Sequence, residues 1–585
     1  MDKKSLLAFV IIFIVILAMP GYFKLINGSS ESSSLDIEKE VSTSPIKSDT
    51  RPRGEQIKHS SLDLKVLEEK ELRLLTIDTD FYRAQISSIG GGTIKDFKLK
   101  KYNMFADSDT VLVQLINDVD ALPLLIKYIS INGDSVDLNQ NFIIENISGS
   151  SPGSSTIHLT KNETSTITFT LKDATRKIIA TKSLTFYGNQ YVIEIKTDLQ
   201  GLRPGMATKH YDLTWNSGLK YTEQTLIDEV RYSKAYAYSG GETDALDVKI
   251  NKSDESRFTG KTDWTAIRTK YFAAALITHG GGIGYRLGAT GIPLEGKNYY
   301  KKYSMQVSLS NDTVAKTALY LGPLEYSTIK GLGVDLENIM SLGKLLKPIS
   351  KAVLWIFNRL RTILPNYGWV LIVFAFLIKI ILYPLTNKSM QSMKEMQNLQ
   401  PKIEELRKKY QSDPQKLNTE QMKLYKEHGV NPMGGCLPLL LQMPILIALF
   451  TVFRTTIELR HAPFIWWITD LSAPDTIFTL PFAIPIYGQH VNVLPIIMAL
   501  STILQQKLSG ASSSNPQQKM MTYMMPIMFF FMFNQFPSGL NLYYTLFNLL
   551  TVAQQKLIPV KPKRKSNRPS TIDTIRKIRS KTKFK

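Results

Sequence analysis

Five apolar runs crowd the last 220 or so residues: roughly Tyr367 to Leu385, Met433 to Ile457, Val491 to Gln505, Met520 to Phe536 and Leu540 to Leu557. No other feature constrains the fold as tightly. Hydrocarbon offers no hydrogen-bond partners to a backbone, so runs of this length predict membrane-spanning helices. The third is the shortest and contains Pro495. A further run, about Leu6 to Tyr22, opens the chain behind Lys3 and Lys4. It reads as a signal peptide or an uncleaved anchor; with no A-x-A site after it, the anchor is favoured. The expected total is six spans.

The charges between the runs orient them. Residues Asn387 to Asn431 hold nine Lys or Arg, and Lys556 to Lys585 hold twelve against the single acid Asp573. The loop Glu458 to His490 holds only Arg460. Positive charge stays cytoplasmic, so both termini, the 387–431 loop and the 508–519 loop are expected inside, and the 458–490 loop outside. The net charge of +21 therefore reads as topology and attraction to anionic lipid rather than as a nucleic-acid surface. One cysteine, Cys436, excludes an intrachain disulfide framework, and seven scattered histidines form no H-E-x-x-H. There is no P-loop, and HGGGIGYRLG (279–288) misses the G-x-G-x-x-G register. Neither an enzyme signature, a cofactor motif nor a metal site is present.

Ahead of the apolar runs the pattern changes. Residues 27–60 are rich in Ser, Pro and charge and read as a flexible linker. From there LLTIDTD, YRAQISSI, TITFTLKD, YVIEIKTDL and YSMQVSLS alternate apolar with polar residues between IGGGT, INGDS and YGNQ turns. This predicts a large antiparallel β-sandwich outside the membrane. The stretch 336–364 has Leu345, Leu346, Ile349, Val353, Ile356, Phe357 and Leu360 on one helical face, interleaved with Lys and Arg. Such a helix lies in the membrane interface or packs on a neighbouring domain. The expected layout is an anchor (1–26), linker (27–60), β domain (61–334), amphipathic helix (335–364), helical core (365–558) with a cytoplasmic hairpin (388–430), and basic tail (559–585).

Within FAFLIKIILYPLTN (374–387) sits Lys379, with no acid in its run. Its position, about 10 Å of helix from the cytoplasmic end, admits snorkelling as readily as a buried role. The other spans favour a wet hollow: they carry Gln442, Thr451, Arg454, Thr502, Gln505, Thr522, Asn534, Asn541, Tyr543, Tyr544, Thr545 and Asn548. Each alone is served by an interhelical hydrogen bond; so many beside an unpaired cation suggest a polar cavity, with Arg454 left as a snorkeller. The spans hold no carboxylate and no TVGYG-like filter, which weakens an ion-coupled transporter or channel. A wet, cationic hollow suits transient reception of polar polypeptide. In the 388–430 loop, Met390, Met393 and Met396 form a soft apolar stripe, fit for varied partners or for hairpin packing.

VNPMGGCLPLLLQMPILIALF (430–450), ELRHAPFIWWITDLSAPD (458–475), FPSGLNLYYTLFNLLTVAQQ (536–555) and YPLTNKSMQSMKEMQNLQPKIEELRKKY resemble the signature segments of the YidC family of membrane protein insertases. LLTIDTD, IGGGTIKDF, KYFAAALI and LYLGP are similar to the large periplasmic domain of its Gram-negative members. The resemblance implies a polytopic inner-membrane protein: a five-helix core around a hydrophilic groove, closed outside, behind a first anchoring helix and a β-supersandwich domain. It implies insertion and chaperoning of nascent membrane proteins, alone or with the Sec translocon, with ribosomes as partners and neither nucleotide, cofactor nor metal. The basic tail could then meet ribosomal RNA or anionic lipid. The family pattern has an arginine where this chain has Lys379, an electrostatic lure for acidic cargo. Lysine keeps the charge and loses the bidentate fork. Substrate contacts on the spans Met433 to Ile457 and Leu540 to Leu557 carry over to Met443, Leu446 and Tyr544. LENIMSLG replaces a more aromatic family segment. The competing readings are a small-solute transporter or channel, and a tethered envelope carbohydrate enzyme or binding module.

Overall fold

A computed structural model of the chain describes residues 71–557 except 105–110, 119, 149–154, 224–225, 295–298, 341, 343–345, 431–436, 485–486 and 509–515, together with 59–60 and 66–67. The expected anchor 1–26 and tail 559–585 lie outside the described residues, as does the expected linker apart from its last two. The described residues fall into two compact units. One runs to Lys347 and includes Arg454–His461; the other comprises Pro348–Phe453 and the chain from Ala462 onward.

The first unit is built from a fifteen-stranded and a five-stranded sheet. The middle of the large sheet runs, in spatial order, Leu125–Ile129, His210–Trp215, Tyr299–Ser310, Phe272–Pro293, Ala315–Pro323, Val192–Asp198, Ile178–Tyr187 and Thr164–Asp173. The small sheet is Thr156–Leu159, Leu74–Thr79, Tyr82–Ser87, Thr93–Asn103 and Leu112–Gln114. Period-two patterning positions the core: along Val192–Asp198, Ile193 and Ile195 are buried while Glu194 and Lys196 are exposed. The expected antiparallel pairing holds for most described strands. Two pairs are parallel, Thr156↔Thr76 and His59↔Ser135.

The glycine-rich 279–288 segment lies inside the long Phe272–Pro293 strand. A Cβ at Gly282 would stand 2.1 Å from the Thr262 carbonyl oxygen, so these glycines serve close strand approach. The IGGGT turn is also structural. A Cβ at Gly92 would meet Leu184 Cδ1 at 2.6 Å, which puts this small-sheet turn directly against the large sheet. From that sheet the fully buried Lys182 donates to the carbonyls of Gly90 (3.3 Å) and Leu124 (2.6 Å). Burial pulls its amine down to about 7.

Arg460 belongs to the β unit. Its Nε lies 2.7 Å from Glu223 Oε1 and its Nη1 donates to the Asn103 carbonyl at 2.7 Å, with Tyr271 and Phe272 beside the guanidinium. Arg454 is in the same unit, where burial raises the Asp228 carboxyl but Lys270, Arg454 and Arg231 together outweigh it and bring it below its ordinary value.

The second unit is helical. α1 (Lys347–Arg361) is shorter than the sequence pattern, because Leu336–Ile339 forms a separate 3-10 turn. α1 buries Ser350, Val353, Leu354 and Phe357 and exposes Trp355. α2 (Tyr367–Asn398) begins at Asn366, whose side chain accepts from the Gly368 N–H. It runs without interruption through Pro384 and past the expected cytoplasmic boundary at 387. α3 (Gln400–Lys409) starts where Pro401, lacking an N–H, cannot continue the α2 ladder. α4 (Pro414–Glu427) is capped by Asp413, which accepts from the Lys416 N–H at 3.0 Å. α3 and α4 form the hairpin, whose small core is Leu399, Tyr425 and Val430 with Met396 and Ile403 against it. α5 (Leu437–Thr455), α6 (Val493–Leu508), α7 (Pro516–Phe533) and α8 (Ser538–Leu557) follow. Among the described residues only α2 is both long and apolar enough to cross a membrane on its own; Gln442–Thr455, Val493–Leu508 and Met524–Phe533 are shorter apolar helical segments.

Candidate functional site

α8 organises the site. Its residues Tyr544, Phe547, Asn548, Thr551 and Gln554 follow three- and four-residue steps and so share one broad face. α8 packs against α2 and α6. Toward α2, the Lys379 ammonium donates to Thr551 Oγ1 at 2.7 Å and stands 4.5 Å from the centre of the Phe547 ring. The Thr551 hydroxyl donates to the Phe547 carbonyl at 2.7 Å, leaving its oxygen lone pairs to accept from Lys379. Lys379 is only 8% exposed, which excludes a side chain stretched into open solvent. Among the described residues no carboxylate pairs with it, and Thr551 is its one hydrogen-bond acceptor.

One turn along, Asn548 Nδ2 donates to Ser501 Oγ (3.1 Å) and Thr502 Oγ1 (2.9 Å) on α6. Both hydroxyls donate in turn to the Met498 carbonyl at 2.8 Å. The lysine and the amide thus form two neighbouring polar contacts on one helix. On the same helix Tyr543 Oη and both amide atoms of Gln554 are buried with no partner among the described residues, as is Gln442 Nε2 on α5. An unfilled polar atom in a dry core costs about 1–3 kcal/mol. Several together mark a place where water or a ligand supplies the missing bonds.

Of the residues singled out from sequence, the structure brings together Lys379, Thr502 and Asn548 through the α8 face, with Tyr543 touching Phe374 of α2 at 5.9 Å between ring centres. Tyr544 packs on Phe529 and Phe533 of α7. Gln505 is half-buried one turn past Thr502. On α5, Gln442 and Leu446 are buried and Met443 is half-buried; among the described residues no hydrogen bond or ring contact links these three to Lys379. Met390 is buried, Met393 half-buried, and Met396 is occupied in the hairpin core. Thr551, Phe547, Ser501 and Gln554 went unread. Helical spacing from Asn548 would have found Thr551 and Gln554, whereas Phe547 and Ser501 carry no signal that separates them from ordinary packing residues.

The β unit holds a different recess, a cavity of about 900 Å³ lined by Asp118, Asp120, Asp254, Glu255, Lys302 and Tyr303 among others. The one aromatic among its lining residues, Tyr303, is 3% exposed and donates its hydroxyl to the Ser233 carbonyl at 2.7 Å, so it offers a sugar almost no open ring face.

Residues 359–565 match the family described as 60Kd inner membrane protein, and residues 74–356 match the YidC periplasmic domain. The membrane protein insertase YidC of Chlorobium luteolum is 41% identical over 492 residues, covering 83% of this chain and 82% of the relative. The chain belongs to the YidC family. The YidC insertase of Prosthecochloris aestuarii is 35% identical over 569 residues, 95% of this chain and 94% of the relative. A crystal structure of an active YidC insertase with its first transmembrane domain resolved aligns over 84% of this chain and 93% of that one, at 20% identity and a TM-score of 0.36. In YidC terms, the β unit is the periplasmic domain and the helical unit the insertase part of an inner-membrane protein.

Proposed function

We propose that this YidC family member inserts proteins into the inner membrane and helps them fold, and that the Lys379 cluster is where polar cargo rests during the passage. The observation that carries the site is a buried ammonium with one neutral side-chain acceptor, Thr551, on a helix that also buries the unpartnered polar atoms of Tyr543 and Gln554. A peptide carbonyl or a carboxylate from cargo completes that arrangement. Solvating the hydrophilic part of a nascent chain partway into the bilayer shortens the apolar path it must cross, and no covalent step is required. Gln442, Met443, Leu446, Gln505, Tyr543 and Tyr544 are assigned to the same groove, with the apolar ones contacting the departing transmembrane segment.

The finer topology in this reading is six spans with both termini cytoplasmic. It is supported by the distribution of Lys and Arg about the apolar runs. The Met390–Met396 stripe and the basic tail would meet ribosomes and anionic lipid, and the protein would work alone or with the Sec translocon. A small-solute transporter is the competitor, and the absence of carboxylates from the apolar runs speaks against it. Purified protein in liposomes distinguishes the two. We expect protease-protected insertion of a small protein with an acidic translocated tail and no gain in solute flux. Solute flux without insertion would overturn the assignment.

A further inference from the structure

The loop expected outside the membrane contains a two-stranded hairpin, Thr476–Ile484 paired with Gly488–Asn492, that takes no part in the groove. It is firmly held at its base. Asp475 Oδ2 accepts from the backbone N–H of Val493 (3.1 Å) and Leu494 (2.7 Å) at the start of α6, and from Trp467 Nε1 at 3.0 Å. One carboxylate therefore caps α6 and closes the two ends of the hairpin together. On the return strand, Asn492 Nδ2 donates to Asn534 Oδ1 at 3.1 Å. Asn534 Nδ2 donates to the carbonyls of Tyr487 (2.9 Å) and His490 (2.7 Å) just beyond the end of α7. Tyr487 packs against Phe530 and Phe531.

The outgoing strand is left uncovered. Ile477, Phe478 and Phe482 are 59%, 58% and 61% exposed, and Trp466, stacked on the Trp467 that binds Asp475, is 83% exposed. From Thr476 to Asn492 there is no Lys, Arg, Asp or Glu, and His490 is the sole titratable group besides Tyr487. An isolated two-stranded ribbon is marginal in water, and a chargeless apolar edge invites aggregation. Here its base is fixed to the ends of two apolar helices, α6 and α7. Large apolar side chains with no charge among them, an exposed Trp beside them and a base fixed to the ends of apolar helices suit the headgroup boundary of a bilayer.

We infer that this hairpin is a lipid-surface anchor, with the Phe478 and Phe482 strand laid into the interfacial layer of the outer leaflet. The inference rests on the membrane topology proposed above. Its occupant is lipid, neither cargo nor a second protein. Seated this way, it would hold the outer ends of α6 and α7 at fixed depth while the cytoplasmic side works.

The test uses the full chain carrying Cys436→Ser, reconstituted in phosphatidylethanolamine and phosphatidylglycerol bilayers. Nitroxides are placed singly by Phe478→Cys and Phe482→Cys, with Ile380→Cys on the exposed side of α2 and Ile131→Cys on the exposed surface of the β unit as references. Collision with oxygen, which concentrates in lipid, is compared with collision with a water-soluble nickel chelate. We expect oxygen to exceed nickel at 478 and 482 as it does at 380, and the reverse at 131. Nickel access at 478 and 482 equal to that at 131 overturns the anchor while leaving the insertase reading intact. Exclusion of both reagents there means a protein cover and overturns it as well. Nickel access at 380 overturns the topology on which the anchor rests, and the anchor with it.

Discussion

Replacing Lys379 by methionine separates a functional charge from a structural one. The hydrogen bond to Thr551 at 2.7 Å is charge-assisted and contributes about 2 kcal/mol, and the ring of Phe547 at 4.5 Å adds about 2 more in a desolvated setting. Against this, placing an ammonium in mid-span costs about 3 kcal/mol on insertion scales. The two sides nearly cancel, and methionine fills similar volume without the charge. We therefore expect Lys379→Met to leave thermal unfolding in detergent within about 1 kcal/mol of the parent. Insertion should respond differently. A cargo carboxylate about 4 Å from the ammonium gains about 4 kcal/mol at an effective dielectric of 20 before desolvation is subtracted. A net loss of about 1.4 kcal/mol is a tenfold slower step. In cells depleted of their own insertase, Lys379→Met should slow substrates with acidic translocated tails about tenfold and neutral-tailed ones much less, and Lys379→Arg should restore both. A Met variant that unfolds several kcal/mol earlier, or one that inserts acidic tails at the parental rate, refutes the reasoning.

Asn548→Leu removes two interhelical hydrogen bonds to Ser501 and Thr502, and we expect about 1 kcal/mol less stability in the same unfolding assay. Arg460→Met leaves Glu223, whose side chain is 11% exposed, without its partner 2.7 Å away; denaturant unfolding of the β unit in the full chain should show a loss of about 3 kcal/mol, with Arg460→Lys recovering part of it. Lys182 has a folded pKa of about 7 against 10.5 in the open chain. Between those values the unfolded state binds a proton that the folded state does not, so its contribution makes stability rise with pH from about 7 toward about 10. Lys182→Met should flatten that rise in unfolding curves collected across the range.

Lys379 was legible because a cation without an acid in an apolar run is anomalous within a dozen residues of sequence. Its partners were not, since Thr551 comes from 172 positions away and a threonine in an apolar helix ordinarily bonds its own backbone, as Thr551 also does here. The strands were read from period-two alternation, which survives because one face of each is buried. The two parallel pairings depend on which strands meet and leave no trace in the local pattern. Boundaries suffered where proline decided them: α2 continues through Pro384, where Thr386 bonds the Leu382 carbonyl, yet gives way before Pro401. The methionine stripe divided between roles, because Met396 sits where the turn after α2 folds back on Tyr425.

The most direct test is photocrosslinking to ribosome-stalled nascent chains from probes at Thr551, Tyr544 and Met443, with Ile380 on the exposed side of α2 as the reference. We expect cargo adducts from the first three that move along the nascent chain as it is lengthened, and lipid adducts alone from Ile380. Cargo adducts of equal yield from Ile380, or none from Thr551 beside Lys379, would contradict a polar resting place for cargo in this bundle.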